Sequence, residues 1–341
     1  MRVSVTGWQR DAADADPGRF LRHFAALDAL GYDGVWLNEL HFQRGGLPYP
    51  SPLPLAAAIF ARTERLRVGT SVIVLPLHHP LLVAAEVAQL DRLSGGRIDV
   101  GIGRGTISRA YARLGLTLDG AALRERFEEG YHLLLSAWAQ PEVRHRGRFW
   151  TLDGVPAGPP PWQRPHPPLF VAGTSADTLR FAAAERLPLL LAPQPPEAEQ
   201  LATYRRAAGD GAGAALPGPV LTRHVCIAPD ARRAAERLER LLPDLLRRRQ
   251  ALAAQRGRPP AGAARLRSQE VVAGDPADCL AQITALATAT GAAELRCVFN
   301  GDGATGPDAA LALATLFARE VLPALRSLPG GGHTDRRRAR A

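Results

Sequence analysis

The sequence predicts an α/β fold closed as a (β/α)8 (TIM) barrel, with insertions after the fourth and seventh strands. Three observations predict it. Short β-branched or apolar runs alternate with helical patterns from end to end, there are eight such runs, and a chain of 341 residues suits one barrel of about 250 residues that carries insertions. Alternation of this kind calls for a parallel sheet with right-handed crossovers, and eight repeats close into a barrel more readily than they spread into an open doubly wound sheet.

The strand candidates are residues 2–6, 34–37, 67–75, 97–102, 169–172, 187–192, 221–227 and 294–299. Each is a run of Val, Ile, Leu or Thr bounded by Gly, Pro or Asp, as buried parallel strands are. Helical patterns fall near 17–30, 53–64, 80–93, 121–139, 175–186, 197–207, 230–255, 276–290 and 308–327, several opening on Pro or Asp, the signature of a helix start. Pro243 is expected to break 230–255 into two helices, because a proline removes an amide donor from the helix interior. Residues 140–168, with the run PPPWQRPHPP, and 209–219, rich in Gly and Ala, exceed a minimal connection. The former reads as a surface excursion or a lid. Residues 1–329 are expected to form one barrel and 330–341 a basic tail.

All 42 basic residues are arginine. Without a lysine there is no pyridoxal or aldolase-type Schiff base and no Walker A loop. The formal charge of +9 is concentrated: residues 230–258 hold nine Arg against four acids, and 334–341 four Arg against Asp335. The first segment reads as a solvated helix face, and no aromatic-interleaved basic stripe of the kind that stacks single-stranded nucleic acid accompanies it. No nucleic-acid partner is expected. Cys226, Cys279 and Cys297 are too scattered for a disulfide framework or a thiolate zinc site. The opening MRVSVTGWQR lacks the apolar core of a signal peptide, and no run approaches the roughly 18 apolar residues of a membrane span. The expectation is a cytoplasmic protein without a membrane partner and without a metal.

In a barrel the chemistry sits on the loops after the strand C-termini. The second strand leads into NELHFQ, which places Glu39 and His41 two residues apart, on the same side if the strand persists. A carboxylate beside an imidazole is an acid/base pair. After the third strand comes Pro76-Leu77-His78-His79-Pro80, where structure alone accounts for His78 and where His79 either caps the next helix or faces the cavity. The fourth strand ends in GIGRGT: Gly101, Gly103 and Gly105 let backbone approach a ligand, and Arg104 offers a forked cation to an anion. This is no dinucleotide fingerprint, since Thr106 takes the slot of the third glycine. The fifth strand ends in AGTSADT, where the amides of Gly173, Thr174 and Ser175 form either a phosphate nest or an ordinary helix cap. No second mouth carboxylate for glycoside hydrolysis, no HExxH and no GxSxG elbow is present. A phosphate end and one acid/base pair describe a site shaped for a cofactor.

Residues 31–105, through GYDGVWLNELHF, RLRVGTSVIVLPLHHP and EVAQLDRLSGGRIDVGIGRG, together with LFVAGTSADT and VAGDPADCLAQI, resemble the bacterial luciferase-like monooxygenases, flavin-dependent (β/α)8 barrels. The resemblance implies that Arg104, Gly105 and the Gly173, Thr174, Ser175 turn hold a flavin phosphate. It implies that Ser71 and Val72 form a non-prolyl cis peptide beneath the isoalloxazine, and that Glu39 lies near the ring with His41 as proton donor or hydrogen-bond partner. Where luciferases proper read Glu-His-His-Phe, this chain has Leu40 in place of the first histidine, which counts against light emission from an aldehyde. The implied activity is monooxygenation of a small organic substrate by reduced FMN (FMNH2) and O2, with a separate flavin reductase and a homodimeric barrel. An F420-dependent oxidoreductase and a flavin-binding protein without catalysis are the alternatives.

Overall fold

The computed structural model describes residues 1–9, 16–41, 49–105, 111–112, 114–209, 216–255, 262–301 and 305–327. The expected tail 330–341 and most of the Gly/Ala-rich segment 209–219 lie outside the described residues. Parallel strands form the core: β1 (Arg2–Thr6), β2 (Gly34–Leu37), β3 (Arg67–Thr70), β4 (Ile73–Val74), β5 (Ile98–Gly103), then β8 (Leu169–Ala172), β9 (Val220–Ile227), β10 (Val271–Gly274) and β11 (Glu294–Val298). The two strands between, β6 (Glu142–Arg146) and β7 (Thr151–Pro156), make a separate antiparallel hairpin.

Starting at β1 the pairing runs to β2, β3, β5 and β8. It continues through the isolated bridges Val171–Leu189 and Leu190–Val220 to β9, and returns through β11 to β1. The ring of eight positions follows the eight predicted runs, with three corrections. Residues 187–192 contribute only those two bridges, which suffice to carry the chain across one gap in the ring. A ninth strand, β10, pairs with His224–Ile227 on the side of β9 away from β11. It was missed because VVAG is short and sits directly against a helix.

Residues 67–75 are likewise not one strand. Gly69 pairs with Asp99, an offset of 30, whereas Ile73 pairs with Ile102, an offset of 29. One surplus residue is absorbed between them, at the Ser71–Val72 peptide, which is cis. The chain then turns through a 3-10 segment, Leu75–Leu77.

The helices start where cap chemistry puts them. Asp16 accepts from the amides of Gly18 and Arg19 ahead of Pro17–Ala29, Asp119 from Ala122 ahead of Gly120–Ala139, and Asp275 from Asp278 ahead of Pro276–Thr290. Each satisfies an orphan donor of a first turn. Pro243 does not break its helix: Ala231–Gln255 is continuous. Its buried stripe of Leu238, Leu241, Leu242 and Leu245 packs on Cys226, Leu266 and Val271, which holds the turns on either side of the proline to one course. The arginines on its other face pair locally, Arg232 with Glu236 and Arg233 with Asp230.

Inside the ring, Trp36 packs with Phe170, Leu190 and Val220. Gly69 makes the room, since a Cβ there would lie 2.4 Å from the indole. Below the indole, at the strand N-termini, is an ion cluster. Asp99 receives Arg67 at 2.6 Å and Arg2 at 3.0 Å, Arg2 also lies 3.4 Å from Glu294, and the Trp36 indole donates to Glu294 at 2.6 Å. The proline-rich part of 140–168 covers this end. Gln163 bonds Asp91 through its amide and side chain, both at 2.7 Å, and donates to the Ile98 carbonyl. That run therefore lies at the strand N-termini, opposite the mouth, and is no lid over it.

Burial opposes ionisation of Asp99, but Arg67 and Arg2 outweigh it and hold the carboxyl well below the usual range. A folded-state pKa below the unfolded value means that this contribution is complete above about pH 4 and lost as pH falls further. Asp99→Asn leaves two guanidiniums short of their partner and is expected to cost about 3–5 kcal/mol. A denaturant midpoint measures the loss, and the variant's stability should decline less steeply than the wild type's below pH 4.

Candidate active site at the barrel mouth

The loop after β2 is clamped before it reaches its functional residues. Asn38 donates from its amide to Gln9 Oε1 at 2.5 Å, and Gln9 Nε2 donates back to the Asn38 carbonyl at 2.9 Å. Glu39 therefore turns inward, where only 3% of its side chain is exposed. Its Oε2 accepts the Val74 amide at 2.6 Å, and its Oε1 meets two imidazoles, His78 Nε2 at 2.6 Å and His41 Nε2 at 3.0 Å.

The Glu39–His41 pair is thus joined by a third member. His78, for which the sequence offered only a structural reason, is the shorter contact. Its signal lay in the topology: adjacent strands deliver their C-terminal loops to adjacent positions, so the loops carrying Glu39 and His78 had to meet. His79, by contrast, caps Pro80–Leu93, accepting from the Leu81 amide.

Burial alone would raise the Glu39 pKa, but the His78 hydrogen bond and charge, with the Val74 amide, lower it below the ordinary value. Burial alone would lower the His78 pKa, and Glu39 raises it instead. Glu39 is therefore a standing carboxylate that orients and charges imidazole, not a proton donor itself.

Across β4 from this cluster stands a cationic pole. Val74 pairs with Gly103, one residue before Arg104. Arg104 Nη2 donates to Ser175 Oγ at 2.5 Å and Thr178 Oγ1 at 2.7 Å. Ser175 caps the helix Ala176–Ala184, accepting from the Thr178 amide. Of the two readings of the AGTSADT turn the structure shows the cap: Ser175 is an N-cap, and the cap faces an arginine. Asp177, the one carboxylate of that first turn, is engaged by Arg180 and Arg124. Gly173 is required by closeness, as a Cβ there would lie 2.5 Å from Thr178 Cγ2. Thr178 escaped the sequence reading, although it stands three residues from the cap, the normal reach of a first turn.

The glycines of GIGRGT need correction. Gly101 and Gly103 make way for protein rather than for a ligand: a Cβ would lie 2.0 Å from the Thr70 carbonyl oxygen at the first and 2.8 Å from Val72 Cγ2 at the second. Gly105, at φ +76°, supplies the left-handed turn after Arg104. Thr106 and Phe42 lie outside the described residues.

Tyr111 links the two poles. Its hydroxyl donates to the Arg104 carbonyl oxygen, and burial, followed by the charge of Glu39, pushes its pKa up, so it is a neutral phenol at the mouth. Ser71, beside the cis bond, accepts from Arg296 Nη1 at 2.6 Å. Arg296 was missed because it reads as one polar residue inside an apolar strand. Gly173, Thr174, Ser175 and Arg104 thus gather at one pole, and Glu39 and His41 at the other, with Ser71 and Val72 on the β3–β4 connection next to it.

The family model of luciferase-like monooxygenases matches residues 3–294. The oxygenase component of a flavin-dependent trigonelline monooxygenase from Acinetobacter baylyi is 32% identical over 155 residues, 46% of this chain and 42% of that protein. The chain spans about half the length of the curated relatives it matches. Among solved structures, the monooxygenase RslO1 from Streptomyces bottropensis superposes with TM-score 0.74 at 24% identity, over 95% of this chain and 100% of that one. The coenzyme F420-dependent tetrahydromethanopterin reductase from Methanopyrus kandleri does so with TM-score 0.71 at 15% identity, over 95% and 98%. These two likenesses are of fold.

The Glu39–His78 contact sets a titration. In a histidine-resolved NMR titration the His78 midpoint should lie above the ordinary 6.5, and in Glu39→Gln it should fall from its wild-type position, because burial is then opposed by Glu86 alone. Stability from this contact is fully present between about pH 4.3 and about pH 6.5, lost as pH rises through the raised His78 value and lost as pH falls through the lowered Glu39 value.

Proposed function

Because the chain belongs to the luciferase-like monooxygenase family, we propose that it is a two-component flavin-dependent monooxygenase, which takes reduced FMN from a separate reductase and uses O2 to oxygenate a small organic substrate. The observation that carries the reading is the gathering of Arg104, Ser175 and Thr178 at a helix N-terminus. These groups are hydrogen-bond donors around a positive helix end, with no carboxylate paired to Arg104 among the described residues, and such a set fits a phosphate monoester.

In this reading the flavin supplies the redox chemistry when bound. Arg104, Ser175 and Thr178 would hold the phosphate, the guanidinium by charge-assisted hydrogen bonds and the two hydroxyls as further donors. Glu39 stays ionised and holds His78 and His41 through a single oxygen, which keeps a proton on an Nε2 at the mouth without exposing the carboxylate. His41, the longer of the two imidazole contacts to Glu39, is the one placed to lend that proton to a reacting oxygen. Leu40 gives the neighbouring face an apolar character. The exposed Leu82 and Leu93 of the helix Pro80–Leu93 suit the homodimer that belongs to the same reading.

Arg104→Ala removes charge-assisted hydrogen bonds to the phosphate and should weaken FMN binding by roughly 10- to 100-fold, while leaving riboflavin, which has no phosphate, at its wild-type affinity. Fluorescence titration with both ligands decides it, and equal affinity of the variant and wild type for FMN would falsify the phosphate assignment. Oxygen uptake on mixing with FMNH2 or with reduced F420, with and without candidate substrates, checks the cofactor. Turnover with F420 alone and no oxygen consumption sinks the monooxygenase reading.

A further inference from the structure

The barrel axis carries an unmatched positive charge. Three guanidiniums, those of Arg2, Arg67 and Arg296, point into the ring with two carboxylates, Asp99 and Glu294. Asp99 is taken by Arg67 and Arg2, and Glu294 by the Trp36 indole and Arg2. Among the described residues Arg296 has no carboxylate within ion-pair distance. Its Nη1 donates to Ser71 Oγ, its guanidinium lies 5.4 Å from the centre of the Trp36 ring, and its Nε is buried without a partner. The residue is only 6% exposed. A neutral hydroxyl and an aromatic face do not offset the desolvation of a guanidinium, and a protein keeps such a group where a counter-charge arrives with a ligand. Burial lowers its pKa to about 10, Glu294 pulling the other way, so it remains cationic at neutral pH.

Its place along the barrel narrows the ligand. Ser71 lies two residues before Ile73, which pairs with Ile102. Arg296 therefore meets the β3–β4 connection three to four residues deeper than Arg104, on the order of 10 Å at a strand's rise per residue. A molecule whose phosphate is held at Arg104 and whose ring hangs on a five-carbon chain would have the reach to bring its ring to this depth. An oxidised flavin ring is neutral, whereas a reduced one readily sheds a proton and becomes an anion.

We propose that Arg296, held by Ser71 and Trp36, is the counter-cation of the reduced cofactor ring and sets the redox potential of the bound flavin. The inference rests on the FMN reading above. It makes Arg296 a cofactor-electronics residue rather than an anchor, since binding of the oxidised form does not depend on its charge.

The test compares oxidised and reduced FMN, the latter under anaerobic conditions, on the wild type, Arg296→Gln, Arg296→Lys and Ser71→Ala. Arg296→Gln should lose about tenfold in affinity for reduced FMN with little change for oxidised FMN, which lowers the midpoint potential of the bound two-electron couple by roughly 30 mV. Arg296→Lys should restore most of the preference, and Ser71→Ala should give a smaller shift in the same direction. Removing an unpaired buried charge should leave the thermal midpoint of Arg296→Gln unchanged or raised. Equal losses for both redox forms, or an unchanged potential, overturn the proposal. If the wild type binds neither form, the FMN reading itself fails and this one with it; if the wild type binds both while Arg296→Gln keeps the wild-type ratio, only this one fails.

Discussion

The ionised Asp99 is the constraint on which the barrel depends. A carboxylate with no exposure to speak of cannot stand alone in a protein interior, so strands β3 and β1 must deliver Arg67 and Arg2 to it on β5. Arg2 in turn reaches Glu294 on β11, and Glu294 holds the indole of Trp36 on β2. Five strands are thereby committed to one register at their N-terminal ends, and a register error of one residue would turn every one of these side chains outward. The polar floor also sets the height of Trp36, which needs Gly69 beside it, and above the indole lies the guanidinium of Arg296.

From that floor the mouth follows by small displacements of the chain. The single residue absorbed at Ser71–Val72 shifts β4 against β5 by one position. That shift presents the Val74 amide to Glu39 and sets it beside Gly103, immediately before Arg104. The anionic and cationic poles of the site are therefore neighbours across one strand pair, with Tyr111 between them. They stay distinct because each is internally satisfied: Glu39 by two imidazoles and an amide, Arg104 by two hydroxyls.

Much of this was legible beforehand, for identifiable reasons. The eight strand positions could be read because parallel strands buried on both faces leave near-continuous apolar runs between capped helices. Arg104 and the Ser175 turn could be read because a strand end followed by a helix start is a local pattern, and Glu39 and His41 because they share one loop. His78, Thr178, Tyr111 and Arg296 were not read as site residues. His78 and Tyr111 acquire meaning only from loops brought together around the ring, and Arg296 looks like a lapse in an apolar strand until the strands across the barrel show that, among the described residues, no carboxylate forms an ion pair with it. Pro243 failed as a helix breaker for a related reason: a buried leucine stripe on both sides of it outweighs one lost amide.

The sequence by itself determined what depends on near neighbours along the chain: the alternation of strand and helix, the caps, the chemistry excluded by the absence of lysine, and the pairing of residues a few positions apart. Only the tertiary structure decided which glycines serve packing, that the proline-rich excursion covers the floor rather than the mouth, and which charge inside the barrel has no carboxylate paired to it among the described residues. Those are properties of distance in space between residues as much as 292 positions apart, as Arg2 and Glu294 are. Charge balance and close approach in a low-dielectric interior are settled by what surrounds a group on every side, and a linear order of residues supplies only two of those sides.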